Sequence, residues 1–221
     1  MRTFRDISLE LIKASSARLF KSSLNLFPPM ESEFEVTPDK PAELKILFQT
    51  RLWEPTLKRK ISPNRLRQIN DMRANIVRAL RSEFADRFIG GVSHTPFAKE
   101  NYPDCLASEK TNKKNYMSLV KKCLIGVTTT GLHNSIGWSL PEYLAASRCI
   151  LTEPLEYELP VSLKEGQNYL LFKTPGECVK MCKKILDNQR LADEMRYNNY
   201  KYYLSEVKPS ALLNKCLETS L

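Results

Sequence analysis

Glycine is scarce, 7 among 221 residues, about half the usual share of roughly 7%. That leaves little room for phosphate loops that need several glycines. No GxGxxG occurs, which weakens a nicotinamide or flavin reading. Histidine occurs twice, so a zinc site would have to lean on scattered cysteines. The six cysteines, at 105, 123, 149, 178, 182 and 216, include no CxxC. They read as reduced thiols of a cytoplasmic protein, not as a disulfide scaffold. No apolar run approaches the roughly 20 residues that span a bilayer. The opening Met1-Arg2-Thr3-Phe4-Arg5-Asp6 leads into no apolar segment, so no secretory signal is expected.

What is present is an ordinary globular balance, 42% hydrophobic and 27% charged at 25.5 kDa, suited to one large domain with a sizeable core. The net charge is +9 with a pI near 9.2, and the excess is concentrated. Between Arg51 and Arg81 stand nine Lys/Arg against two acids, Glu54 and Asp71. Such a segment attracts polyanions: nucleic acid, an anionic membrane face or phosphorylated small molecules. Its plain alternative is a solvated helix face. Trp53 is the only aromatic there, so a nucleic-acid partner is disfavoured, since such sites interleave aromatics with bases.

Residues 4–20 read as an amphipathic helix, with Phe4, Ile7, Leu11 and Ala14 on one stripe. The stretch 28–41 holds four prolines and an excess of acids, which predicts a linker or arm, so domain boundaries are expected at 1–41 and 42–221. Short apolar strands are predicted at 44–48, 87–92, 123–127, 149–151 and 169–172. Between and after them come helices at 63–84, 112–122, 140–147, 175–187, 189–204 and 209–218, the first opened by Ser62 as N-cap with Pro63 behind it. The strands are continuously apolar, which predicts burial on both faces. The fold class is therefore α/β, with about five parallel strands flanked by helices. Ligands of such sheets lie beyond the strand carboxyl ends, so the residues after each strand are the candidates.

After the first strand, Arg51 and the run Lys58-Arg59-Lys60 could clamp a diphosphate, a planar fork joined to point charges. After the second, His94 could touch a ligand. After the third comes Thr128 to Glu142. Gly126 and Gly131 have the glycine spacing of a P-loop, but Leu132-His133 stand where Lys-Ser/Thr is required. Small residues leading into a helix start suit a phosphate. Glu142, in the first turn of that helix, suits vicinal sugar hydroxyls, or else simply complements the helix dipole.

The run Gly137-Trp138-Ser139-Leu140-Pro141-Glu142-Tyr143-Leu144-Ala145-Ala146-Ser147-Arg148-Cys149-Ile150, then Glu153-Pro154-Leu155, then Glu165-Gly166-Gln167-Asn168-Tyr169-Leu170, resembles the donor-binding, C-terminal half of two-domain (GT-B type) glycosyltransferases. More narrowly it resembles the "glycosyl transferases group 1" superfamily. The similarity runs from about 43 to 219, with 131–172 its specific part. It implies a single Rossmann-like domain that holds a nucleotide-sugar donor. Glu142 would bind the ribose hydroxyls, Arg51 and Lys58 would neutralise the leaving diphosphate, and the loop of His133, Asn134, Ser135 and Gly137 would lie against sugar and phosphates. No metal is expected, because basic groups and a helix start stabilise the leaving group, and no Asp-x-Asp is present. The tyrosines at 197, 200, 202 and 203 would belong to closing helices, as packing.

Two departures from the pattern stand out. Asn134 occupies the position, eight before Glu142, where the superfamily usually carries a second acid. About 40 residues precede the first strand, too few for the acceptor-binding domain such enzymes carry. The expectation is a glycosyltransferase donor domain that is truncated or completed by a partner chain. Its rivals are a non-catalytic nucleotide-sugar-binding module and, less favoured, a polyanion or membrane binder using residues 51–81.

Overall fold

The computed structural model describes residues 31–55, 61–159 and 161–218. The helix expected over 4–20 lies outside them. Two compact units are distinguished, Met1–Glu33 and Phe34–Leu221. The first is described only for a 3-10 turn, Glu31–Glu33, and all that follows concerns the second.

Its sheet has five parallel strands: β1 Glu43–Thr50, β2 Phe88–Val92, β3 Cys123–Thr128, β4 Cys149–Thr152 and β5 Tyr169–Leu171, in the order β2-β1-β3-β4-β5. Seven α-helices accompany them among the described residues: α1 Pro63–Phe84, α2 Pro96–Asn101, α3 Lys113–Lys122, α4 Ser139–Ala145, α5 Pro175–Leu186, α6 Gln189–Tyr202 and α7 Pro209–Glu218. The short α2, capped by Thr95 and opened by Pro96, is absent from the sequence reading because six residues are too few to show a period. No helix among the described residues is long and apolar enough to cross a membrane.

Alternate side chains of each strand enter opposite cores. Ile46, Phe48, Ile125, Val127, Cys149 and Leu151 pack with Ile76, Val77 and Leu80 of α1 and Cys178 and Cys182 of α5. Leu47 and Ile150 pack with Leu119 and Val120 of α3 and with Tyr143 and Leu144 of α4, joined by Cys123, which opens β3 and departs from its alternation. Burying each such large side chain contributes about 1.5–3 kcal/mol. Gly126 faces the second core because the Tyr143 ring takes the space of a side chain: a Cβ there would stand 2.6 Å from it.

This division follows from connectivity. β1 to β2 steps one way along the sheet; β2 to β3 and β3 to β4 step the other. Right-handed crossovers then place α1 on one face and α3 and α4 on the opposite one. Where the direction reverses, between β1 and β3, the crossovers part and leave a crevice at the carboxyl ends.

The compact unit begins at Phe34, inside the stretch expected to be an arm. Phe34 is buried in the second core, Val36 N–H donates to the Ala145 carbonyl at 3.1 Å, and Ser147 Oγ donates to the Val36 carbonyl at 2.6 Å. Prolines stop this segment from becoming helix but do not stop it from docking. The tyrosine series divides: Tyr203 is buried and stacks on Tyr200 at 6.2 Å, while Tyr197 is exposed.

Candidate functional site

Helix α1 organises the rim. Ser62 accepts the Arg65 N–H at 3.2 Å as N-cap, and the apolar stripe of the helix faces the sheet with two polar residues set in it, Asn70 and Arg73. Asn70 clamps the backbone after β1: its Oδ1 accepts the Trp53 N–H at 2.9 Å and its Nδ2 donates to the Trp53 carbonyl at 2.7 Å. Arg73 is 6% exposed. It donates to Thr129 Oγ1 at 3.0 Å, the Arg51 carbonyl at 2.6 Å and the Thr130 carbonyl at 2.9 Å. One buried guanidinium thus joins the ends of β1 and β3. Burial brings its pKa down to about 10, opposed by the nearby charge of Glu153, so it remains a cation at neutral pH. Glu153, just past β4, accepts the N–H and hydroxyl of Thr130 at 2.8 and 3.0 Å.

Arg51 therefore leaves β1 with its backbone anchored and its side chain exposed, the guanidinium 5.5 Å from the Trp53 ring centroid. Lys58 lies outside the described residues, so the expected Arg51–Lys58 pair is described on one side only. His94 Nε2 is bonded to the Ala107 carbonyl at 2.7 Å, a local tie across its own loop.

The loop after β3 is tightly folded. Gly131 N–H donates to the Ser135 carbonyl at 2.8 Å, and His133 and Asn134 both take left-handed backbone, φ 57° and 58°. Asparagine tolerates that region, whereas histidine pays on the order of 1–2 kcal/mol for it. The strain is held from both sides. Arg65 Nη2 donates to Asn134 Oδ1 at 2.7 Å, Asn134 Nδ2 donates to Glu156 Oε2 at 2.6 Å, and the Tyr157 hydroxyl donates to the His133 carbonyl at 3.0 Å. His133 and Ser135 are exposed, Asn134 and Gly137 half-buried. Gly137 sits where a Cβ would come within 3.1 Å of Thr128 Oγ1, and Thr128 Oγ1 in turn meets Ser139 Oγ at 2.6 Å, tying the loop to the start of α4.

Glu142 is in the first turn of α4, as expected. Both its oxygens are engaged from α3: Lys113 Nζ donates to Oε1 at 2.7 Å and the Tyr116 hydroxyl to Oε2 at 2.7 Å. Burial, with the Tyr143 and Glu142 neighbours, holds the Tyr116 hydroxyl well above its usual pKa, so Tyr116 is the donor. Glu142 draws its partners from the α3 face of the sheet, and Arg51 is held from the α1 face. The two approach the switch point from opposite sides, and neither touches the other's partners.

The basic segment is partly spent internally. Arg78 pairs with Asp104 through Nε at 2.6 Å, and Arg81 donates to the carbonyls of Asp104 and Leu106. With Arg73 buried as well, three of the six described arginines of this segment, Arg73, Arg78 and Arg81, are tied within the domain, and Lys58, Arg59 and Lys60 lie outside the described residues. In the sequence, Arg73 recurs with Leu66, Ile69, Ile76, Val77 and Leu80 at helical spacing. An arginine in an apolar stripe was the available signal for its role. Glu153 stood in a segment that carried the resemblance, with no role given to it, and nothing comparable pointed to Lys113 or Tyr116.

No family model matches the chain, and no curated protein matches it. Solved structures do. The C-terminal domain of a glycosyl transferase group 1 family protein (LpcC) from Francisella tularensis matches with a TM-score of 0.58 and 10% identity, over 82% of this chain and 100% of that one. TarM matches with a TM-score of 0.52 and 12% identity, over 84% of this chain and 36% of its own. A glycosyltransferase from Rickettsia africae ESF-5 matches with a TM-score of 0.52 and 14% identity, over 86% and 54%. The chain thus spans little more than a third and about half of those two longer proteins. The fold is the Rossmann-like α/β fold of GT-B C-terminal domains.

Proposed function

We propose that this domain binds a nucleotide-diphosphate sugar and serves as the donor half of a glycosyltransferase. The acceptor site would be supplied by further chain or by a partner. The reading is supported by one positional observation: Arg51, the 133–137 loop and Glu142 all follow strands β1 and β3 or open the helix behind them, at the crevice where a doubly wound sheet binds its ligand. In this reading Glu142 anchors the ribose hydroxyls and Arg51 and Lys58 stabilise the departing diphosphate. His133, Asn134, Ser135 and Gly137 line the sugar and phosphates, and no metal is called for. In this reading the domain works in the cytoplasm, where cysteines without a disulfide framework are at home.

Titration calorimetry with UDP- and GDP-sugars tests it. Saturable binding that Glu142→Ala weakens is expected; no binding of any nucleotide sugar overturns it. A second reading, a non-catalytic module, draws support from Glu142, whose oxygens are already satisfied by Lys113 and Tyr116. Donor binding without sugar transfer or donor hydrolysis, even with an acceptor-binding partner supplied, would favour it. The polyanion reading is supported less, since Arg73, Arg78 and Arg81 are committed within the domain.

A further inference from the structure

On the α1 face, beyond the carboxyl ends of β3, β4 and β5, lies a cleft of about 150 Å³ whose lining includes Arg65, Arg73, Thr130, Glu153 and Lys173. It stands apart from Glu142, which is held from the α3 face. Three cations meet one carboxylate there, and the carboxylate does not balance them. Glu153 Oε2 is taken by the N–H and hydroxyl of Thr130, and Glu153 forms no ion pair among the described residues.

Several cations of the domain are neutralised by a carboxylate. Arg78 has Asp104, Lys113 has Glu142, Lys122 has Glu43 and Lys208 has Glu35. Arg65 instead rests on the neutral amide of Asn134 at 2.7 Å, and the Lys173 ammonium has no carboxylate partner among the described residues. Arg73 gives three of its five N–H donors to neutral oxygens, so a buried charge lines the cleft with donors left over. Glu153 is the one nearby negative charge acting on Arg73, and it faces three cations. Two guanidinium forks and an ammonium around one small volume match the geometry of a phosphate or carboxylate.

We propose that this cleft is an anion subsite: Arg65, Arg73 and Lys173 together hold one phosphate or carboxylate group, separate from the donor diphosphate. The group is either carried by the transferred sugar, making the donor an acidic sugar nucleotide, or a free inorganic anion. Only the first source rests on the nucleotide-sugar reading. Glu153 bounds the site and weakens it by repulsion, so removing its charge should tighten binding. A purely structural role for these residues would not have that effect.

The test is a titration with inorganic phosphate and with glucuronate at constant ionic strength, followed through the arginine Nε–H signals by nuclear magnetic resonance. The Arg73 and Arg65 signals should shift saturably. Arg65→Gln and Lys173→Gln, both at exposed positions, should each weaken binding about tenfold, the order of one lost charged hydrogen bond, and Glu153→Gln should strengthen it. Shifts that never saturate, or saturate alike in all three variants, overturn the proposal. Comparing UDP-glucuronic acid with UDP-glucose then identifies the source. An acidic-donor preference erased by Lys173→Gln assigns the anion to the sugar. Equal donor affinities with phosphate still bound assign it to a free anion. Phosphate binding with no donor binding upholds the cleft and removes the nucleotide-sugar reading instead.

Discussion

Arg73 Nη1 donates to the carbonyl oxygen of Arg51 at 2.6 Å, so the first residue beyond β1 is positioned by an arginine from the middle of the following helix. The same guanidinium holds Thr129 and Thr130 at the end of β3. The mouth of the switch point is therefore set by one side chain, and the exposed Arg51 guanidinium is aimed by its backbone.

Replacing Arg73 by leucine would leave those acceptors unpaired. The cost should be about 2–4 kcal/mol, since each buried acceptor stripped of its partner costs about 1–3 kcal/mol and some will find water. Lysine should recover little, because one ammonium cannot span three acceptors. Urea denaturation measures both, and an unchanged midpoint for the leucine variant would remove Arg73 as the organiser of the rim.

Glu142→Ala should weaken nucleotide-sugar binding by about 1–3 kcal/mol, the range for charged hydrogen bonds. Arg51→Lys should weaken it too, because a point charge cannot reproduce the fork. Calorimetry on the two variants separates the assignments: unaltered affinity in the first sinks the ribose anchor, and in the second the diphosphate clamp.

Two glycines should respond oppositely to alanine. At Gly90, φ is 127° and a Cβ would stand 2.2 Å from the Phe48 carbonyl oxygen of the neighbouring strand. Gly90→Ala should cost about 3 kcal/mol or more, in the range of severe backbone conflicts. At Gly176, inside α5, a Cβ meets nothing within 4 Å, so Gly176→Ala should stabilise by up to about 1 kcal/mol through the entropy of the unfolded chain. Thermal unfolding of the two variants should move in opposite directions.

Burial pushes the Cys123 thiol up to about 11 and the Cys149 thiol to about 12, from an ordinary 9.0. The folded state keeps protons that the unfolded state releases, so this contribution to stability is full below about pH 9. It should fade as pH rises from there through the folded values. Cys149→Ala should lessen the alkaline loss. The same burial shields five thiols, while Cys216 is exposed. A thiol reagent at pH 8 should therefore label one cysteine in the native protein and six after denaturation; rapid labelling of more than one would contradict the packing.

Much of the fold was legible in the chain. The β1–β5 runs are short, apolar and separated by helical periods, and Ser62-Pro63 marks the start of α1 to the residue. The burial of Phe34 was not legible, because proline content reports backbone freedom and says nothing about the pocket into which that side chain fits. The site was legible in part. Glu142 lies where a helix start was expected, but its partners Lys113 and Tyr116 come from a helix 29 and 26 residues away, and no local pattern encodes that meeting.

Residue order alone determined the α/β class and the number of strands, because apolar periodicity and caps are local and each element declares itself. Which cations remain available was decided by folding. Arg73 and Arg78 are five residues apart on one helix, yet one is buried at the rim, where it lines the cleft, and the other is paired with Asp104. Burial and counter-charge depend on what crosses over from distant strands, and only the assembled sheet brings those groups together.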